Sequence, residues 1–231
     1  MAANTALRTM PDAPNLPSEE SSSAISEPVS GADDPGAAAR KRPKPGERRV
    51  QILQALASML EQPDGERITT AALAQRLGVS EAALYRHFAS KAQMFEGLIE
   101  FIEQSVFSLI NQIIEREQRP GAESAELGAR QAAKVVDMVI QFAEKNPGLA
   151  RVLVGDALVF EHERLQQRIN QFFDKIEATL KQCLRDDRAD APLRASVVVA
   201  FLAGRLQRFV RSGFKRLPSE RLDLSLALVL G

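Results

Sequence analysis

The chain has 231 residues, of which 45% are hydrophobic and 26% charged, and its 30 basic side chains balance 30 acidic ones. This composition is ordinary for a globular protein built as one domain or as two closely packed ones. One cysteine excludes an internal disulfide, and no run of about 18 apolar residues could span a membrane, so we expect a cytoplasmic protein.

The neutral total hides a segregated charge pattern. Residues 1–39 carry six acidic side chains against one basic, residues 40–95 carry ten basic against five acidic, and residues 96–231 carry 19 of each. Seven of the 12 prolines lie within residues 1–45, where apolar residues show no period. Such a segment cannot bury enough apolar surface to offset its ordering entropy, so we predict a disordered tail.

The basic excess is concentrated directly after the acidic segment. A cluster of this kind is the usual electrostatic footprint of a nucleic-acid-binding protein, although a solvated basic run has the same pattern. Its members are Arg40, Lys41, Arg42, Lys44, Arg48 and Arg49.

From residue 46 onward the sequence is predicted to be helical throughout. Apolar residues from Val50 to Leu60 recur at helical spacing, and Pro63 ends that helix. No alternating strand pattern competes, so we predict an all-α fold. Beyond the helix-turn-helix described next, helices are predicted at about 91–117, 124–145, 148–154, 156–185, 192–212 and 219–229.

Residues 68–88 have the pattern of a helix-turn-helix. Thr69 or Thr70 can cap a short first helix, and Gly78 stands where the turn needs a left-handed conformation. Ser80 caps the second helix, with Glu81 in its first turn. A second helix positioned in this way can enter the major groove of DNA.

The candidate DNA-contacting residues lie at the two helix starts and on the exposed face of the second helix. Small side chains there allow close approach to base edges, whereas Tyr85, His87 and Lys91 are placed to reach phosphates. A helical corner in an unrelated protein, with His87 as a surface histidine, is the alternative. The candidates are Thr69, Thr70, Ser80, Glu81, Ala82, Ala83, Tyr85, Arg86, His87 and Lys91.

The segment Leu-Tyr-Arg-His-Phe at 84–88, followed by Ser90 and Lys91 at the start of a long helix, resembles the DNA-binding domain of TetR-type regulators. This resemblance implies a three-helix DNA-binding domain at 46–95, here called the reader, on a helical dimerisation and partner-binding domain at 96–231, here called the body. It also implies a homodimer on palindromic double-stranded DNA, with higher-order assembly left open. Ala89 stands where many family members carry proline.

Stretches in the body resemble the nucleoid occlusion branch of that family, notably 146–149, 166–171 and 208–212. The resemblance implies a cytoplasmic, nucleoid-associated protein that binds FtsZ, the tubulin-like division GTPase, and blocks its polymers from forming a ring over the nucleoid. It also implies a docking groove between the fourth and fifth helices. Phe101 lies off the apolar stripe of the fourth helix and is the first candidate for this contact, followed by Lys145 and Asn146.

Two other hypotheses remain open at this stage. A TetR-type transcriptional repressor would leave its operator when a small molecule enters the body, and an architectural protein would bind the chromosome alone. The sequence offers little for catalysis: its two histidines, His87 and His162, form no HExxH pair, and Cys183 occupies an apolar helical position. We therefore predict no enzyme activity, catalytic residue, metal or cofactor.

The dimer is predicted to form through the long amphipathic helices at 156–185 and 193–210, in a four-helix bundle across a twofold axis. The alternative is that both helices serve only the core of the monomer.

Overall fold

A computed structural model describes residues 46–62, 68–117, 124–185 and 190–230. The predicted tail at 1–45, with the basic residues at 40–44, lies outside the described residues. The described elements, in chain order, are α1 (Glu47–Leu60), α2 (Thr70–Leu77), α3 (Glu81–Tyr85), α4 (Lys91–Glu117), α5 (Ser124–Lys145), α6 (Pro147–Leu153), a 3₁₀ turn (Asp156–Leu158), α7 (Glu163–Cys183), α8 (Ala191–Arg211) and α9 (Leu222–Leu230).

The described part of the chain contains helices and no strand, which confirms the all-α prediction. None of its helices has the length and apolar content needed to cross a membrane. The predicted domain boundary at 95/96 falls inside α4, which begins among the N-terminal helices and continues into the body, so the division into two domains stays a prediction.

The N-terminal helices share a small apolar core. Ile52 and Leu56 of α1, Leu73 of α2 and Leu84 of α3 are almost fully buried, together with Phe88 after α3. These residues recur at the helical spacing seen in the sequence, and α4 covers their open side. Val50, which also fits that spacing, is 48% exposed.

The body is built around α5, which packs against α4, α7, α8 and α9. The predicted apolar stripe of α4 is buried at Leu98, Ile102, Val106 and Ile110, and only half-buried further on at Ile113. Glu103 of α4 pairs with Arg168 of α7 (2.5 Å) and joins the two helices at their polar edge. α5 is therefore the central helix of this body.

α6 joins the N-terminal helices to the body through an unusually close contact. A Cβ placed on Gly148 would lie 2.1 Å from the carbonyl oxygen of Ala57, so only glycine lets α6 approach α1 this closely. Arg151, one turn further along, donates hydrogen bonds to the carbonyl oxygens of Leu60 (3.3 Å) and Gln62 (3.2 Å). Its Nε also pairs with Asp156 at 2.6 Å.

The predicted helix at 156–185 is wrong in its first part. The chain leaves α6 through Gly155 at φ +76°, makes the 3₁₀ turn and continues as a non-helical segment that exposes Val159 (68%) and Phe160 (72%). α7 then starts after His162, whose Nδ1 accepts a hydrogen bond from the Arg164 amide (3.2 Å). The apolar run Leu158 to Phe160 fits a helical period, and histidine is an uncommon cap, so the local pattern concealed this break.

α7 is also not the helix that presents apolar surface. Its apolar residues, including Leu165, Ile169 and Phe172, are buried inside the protomer, and its outer face is polar. α8, in contrast, buries Val198 and Leu202 and leaves other apolar residues exposed. The bundle of both helices stays a prediction, and the exposed apolar residues favour α8 over α7 as its contact surface.

We expect Gly148→Ala to destabilise the protein by about 1–3 kcal/mol, because the added methyl group overpacks the contact between α6 and α1. Chemical denaturation followed by circular dichroism measures this change. Gln171→Ala, on the exposed face of α7, is the control and should change the free energy of unfolding by less than about 0.5 kcal/mol. Equal stabilities for the two variants would mean that α6 does not approach α1 as described.

Candidate nucleic-acid interface and partner surface

α2 has well-defined ends that follow directly from its sequence. Thr69 is extended (φ −101°, ψ 156°), and its hydroxyl oxygen accepts a hydrogen bond from the Ala72 amide at 3.1 Å. Of the two threonines that could cap this helix, Thr69 is therefore the one that does. Gly78 adopts the left-handed conformation (φ 64°, ψ 38°) and ends the helix as the sequence predicts.

The start of α3 is held by side chains from both helices of the motif. The Ser80 hydroxyl oxygen accepts from the Ala83 amide at 3.3 Å. The Thr70 hydroxyl donates to Glu81 Oε2 at 2.5 Å, and the Tyr85 hydroxyl donates to the Thr70 oxygen at 3.5 Å. This hydrogen-bonded chain links the first turn of α3 to the start of α2.

Most of the predicted DNA-contacting residues lie together on the surface of this motif. Tyr85 is 45% exposed, a large fraction for an aromatic side chain, and the smaller Ala83 is half-buried, as is Thr70. The side chain of Arg86 forms no hydrogen bond or ion pair with another described residue. The exposed candidates are Thr69, Ser80, Glu81, Ala82, Tyr85, Arg86 and His87.

Lys91 is the candidate that the structure separates from the others. Its ammonium group pairs with Glu161, in the segment before α7, and lies 5.6 Å from the centroid of the Phe95 ring. The side chain is half-buried in this position. Lys91 therefore links the start of α4 to the body, and its charge is already partly neutralised there.

Arg49 is a residue that sequence reasoning did not single out within the basic cluster. Its guanidinium carbon lies 4.2 Å from the centroid of the Phe88 ring, and its Nη1 donates to the carbonyl oxygen of His87 at 3.0 Å. The contact joins the start of α1 to the end of the recognition segment, 38 residues away. No local pattern could reveal a pairing over that distance.

The candidate partner residues lie near one end of the pair formed by α4 and α5. The two helices are antiparallel, with Gln131 hydrogen-bonded to the Ile114 carbonyl (3.4 Å). From that contact, a rise of about 1.5 Å per residue places Phe101 level with the end of α5, where Lys145 and Asn146 lie.

These three residues differ in how far they are available to a partner. Phe101 is half-buried with one side packed on the core, so it is neither fully buried nor fully free. Lys145 is exposed. The side-chain amide nitrogen of Asn146 donates to the carbonyl oxygen of Phe142 at 2.8 Å and so caps α5, which leaves its second N–H and its side-chain oxygen for other contacts.

An open cleft of about 410 Å³ lies between the N-terminal helices and the body. Lys91 and Phe95 line it from α4, Arg151 from α6, and Phe160 and Phe214 from the segments before α7 and after α8. The ion pairs of Lys91 and Arg151 already occupy much of its polar lining. The wall of this cleft therefore combines apolar and charged side chains.

Nothing in the described residues points to catalysis. Burial raises the pKa of the Cys183 thiol, which keeps the sulfur protonated and weakly nucleophilic. No group of three or more His, Cys, Asp or Glu residues in the described part of the chain could hold a metal ion.

Two family models match the chain. The model described as bacterial regulatory proteins, tetR family, matches residues 52–98, and the SlmA-like model described as tetracyclin repressor-like, C-terminal domain, matches residues 130–230. Together these matches cover both the helix-turn-helix and most of the body.

Curated relatives resemble the chain over most of its length. The nucleoid occlusion factor SlmA of Vibrio cholerae serotype O1 is 49% identical over 191 residues, 79% of this chain and 93% of the relative. The protein of the same name from Marinomonas sp. is 50% identical over 185 residues, 77% of this chain and 90% of the relative. The protein of the same name from Alteromonas mediterranea is 48% identical over 184 residues, which is 76% of this chain and 90% of the relative.

Solved structures share the fold at low identity. The transcriptional regulator FadR from Bacillus subtilis, in complex with stearoyl-CoA, superposes with a TM-score of 0.61 at 16% identity and covers 79% of this chain and 97% of its own. The TetR family regulator PfmR from Thermus thermophilus gives 0.58 at 21% identity, with 78% and 97% covered.

We expect Arg49→Lys to lower DNA affinity about tenfold, because lysine keeps the charge but cannot stack a planar guanidinium on Phe88 while bonding to the His87 carbonyl. Fluorescence anisotropy with a duplex selected by the protein measures the affinity. Arg48→Lys is the matched control, since among the described residues the Arg48 guanidinium bonds to Gln51 of its own helix (3.0 Å) and not to the recognition segment. Equal affinities for the two variants would show that Arg49 does not position the recognition segment.

Proposed function

The chain belongs to the SlmA branch of the TetR family of bacterial regulatory proteins, and we propose that it acts as a nucleoid occlusion factor. Family membership makes it a DNA-binding, dimerising regulator and not an enzyme. The observation that carries the proposal is identity of 48–50% that extends through the body, since the body distinguishes one TetR-type protein from another. It works in the cytoplasm, at the nucleoid.

The DNA-bound form, in this proposal, is a homodimer on a palindromic site. Each α3 enters a major groove, and the two copies lie about 34–36 Å apart, one turn of the duplex. Tyr85, Arg86 and His87 contact phosphates, and the small Ala82 and Ala83 allow α3 to approach the base edges. The capped starts of α2 and α3 add backbone amides that point toward the phosphates.

We assign the dimer interface to α8 and α9. Leu193 (67% exposed), Val197 (47%), Ala200 and Gly204 follow one another at helical spacing along the outer face of α8. Gly204 has open space where its Cβ would be, so a second helix could approach closely there. On α9, Leu224 and Leu228 are exposed in the same way. Pairing these faces across a twofold axis removes them from water.

We expect Val197→Asp to convert the dimer to a monomer and to lower DNA affinity by more than tenfold, because a buried, unpaired carboxylate opposes association and a single reader loses half of its contacts. Sedimentation equilibrium and anisotropy measure the two effects. Gln167→Asp, on the polar outer face of α7, is the control and should leave the dimer intact. A monomeric Gln167→Asp would place the interface on α7 instead.

The output of the DNA-bound dimer, in this proposal, is contact with FtsZ. Phe101 supplies an apolar anchor on α4, and the side chains of Lys145 and Asn146 supply polar groups at the adjacent end of α5. An anchor that is half-buried loses little side-chain entropy on binding, since the core already restricts it. The DNA-binding residues lie at the N-terminal helices, so DNA and FtsZ can be held at the same time.

Sedimentation of FtsZ polymers with GTP tests the function directly. The protein is added with and without its selected duplex, at concentrations that saturate the DNA. A DNA-dependent loss of pelletable polymer is the expected result. An unchanged pellet would refute the proposal and turn attention to a repressor released by a small molecule.

We expect Phe101→Ala to keep its DNA affinity while losing most of its effect on FtsZ polymers, because the apolar anchor is removed and the reader is untouched. Phe107→Ala is the matched control on the same helix: its ring packs edge-on against Phe172 at 5.6 Å and so faces α7. That control should be less stable than the parent protein but still active on FtsZ. An active Phe101→Ala protein would remove Phe101 from the partner surface.

A further inference from the structure

A strongly basic surface lies at the end of α8, where Arg208 and Arg211 follow one and two turns beyond Gly204. Residues 205–221 contain six basic side chains and one acidic, Glu220. Arg205 is used internally, since it donates to the carbonyl oxygens of Pro218 (2.7 Å) and Glu220 (2.8 Å). We call the exposed group of Arg208, Arg211, Lys215 and Arg216 the basic corner.

The basic corner is held in a fixed shape. The Ser212 hydroxyl oxygen accepts hydrogen bonds from the amides of Lys215 (3.1 Å) and Arg216 (2.9 Å). Phe214 takes a left-handed conformation, φ +65°, that a side chain disfavours, and its ring packs edge-on against Phe209 at 5.2 Å. The turn therefore presents Lys215 and Arg216 beside the last turns of α8 even at the cost of backbone strain.

The charges of the basic corner are unneutralised within the described part of the chain. None of its four side chains forms a hydrogen bond or ion pair with another described residue, in contrast to Lys91 and Arg151 across the cleft. Arg208 and Arg216 line an open pocket with a volume of about 290 Å³, and Arg211 lines the cleft of about 410 Å³ described above. Clustered like charges repel one another, so an acidic ligand would relieve that repulsion.

The chain itself contains a ligand of matching charge. Residues 1–39 carry Asp12, Glu19, Glu20, Glu27, Asp33 and Asp34 against a single arginine, and they lie outside both matched family regions, which start at residue 52 and end at residue 230. The alignments with the three relatives named above extend over 184–191 of the 231 residues, although they cover 90–93% of those relatives.

The acidic segment is long enough to reach the basic corner. α1 begins directly after Gly46, and its 14 residues span about 21 Å up to the cleft that Leu60 and Arg211 both line. The stretch of chain from Asp34 to Gly46 can span up to about 40 Å, which exceeds that distance. Covalent linkage also raises the effective concentration of the acidic segment to the millimolar range, where several weak ion pairs suffice.

We infer that the acidic segment at 12–34 docks on the basic corner formed by Arg208, Arg211, Lys215 and Arg216. The interaction is electrostatic and therefore sensitive to salt, because exposed charges are screened over about 8 Å at physiological ionic strength. It gives this chain an internal occupant for a surface that would otherwise attract acidic partners.

Zero-length cross-linking of the full chain tests this inference. A carbodiimide joins a carboxylate to an amine only when they are in contact, and Lys215 is the one lysine of the basic corner. We expect cross-links from Lys215 to carboxylates at 12–34, at least tenfold more abundant than those from Lys181, an exposed lysine on α7. Raising the salt to about 0.5 M should abolish the difference.

Charge variants that keep Lys215 as the reporter complete the test. The combined change Arg208→Gln, Arg211→Gln and Arg216→Gln should lower the Lys215 cross-links at least tenfold, whereas lysine at the same three positions should preserve them. Cross-links spread evenly over Lys215 and Lys181 would overturn the inference. Protection of Lys215 from acetylation only after DNA or FtsZ is added would also overturn the inference, since the occupant of the basic corner would then be that partner.

Discussion

The close packing of α6 against α1 is the constraint on which the rest of the structure depends. At Gly148 there is no room for a side chain, and Arg151 ties the open carbonyl end of α1 to the 3₁₀ turn of the body. Lys91 and Glu161 add a second link on the other side of the cleft. These contacts fix the reader relative to the body, and through the body relative to its twofold partner. A dimer can match a palindrome only if that orientation is fixed, because the spacing of the half-sites is a property of the DNA.

The electrostatics of the folded reader are more balanced than those of the sequence around it. Arg49 and Arg76 are used to hold the helices together, and Lys91 is paired with the body. Much of the positive charge available for phosphates therefore resides at residues 40–44, outside the described part of the chain. We therefore expect the helix-turn-helix to set the position on DNA and the basic residues before it to add long-range attraction to phosphates.

The sequence predicted the features that local chemistry determines. The threonine and serine caps, the left-handed Gly78 and the long periodic helices α4, α5 and α8 were all visible as short patterns. The break before α7 is also local, at Gly155 and His162, but the apolar run between them fits a helical period and concealed it. Other features depend on contacts between residues distant in the chain. The cation–π contact of Arg49 and the pairing of Lys91 join residues that no local window contains.

The recognition helix itself has one further consequence. α3 is only five residues long, and a helix of that length is not stable in isolation. It persists because Leu84 and Phe88 are buried and because Arg49 joins its end to α1. Local opening of α3 therefore breaks its packing on α1 and the contacts of Arg49, so we expect its amide hydrogens to exchange slowly for so short a helix. The folding of α3 is thus coupled to the folding of the other N-terminal helices, and variation that weakens one weakens the other.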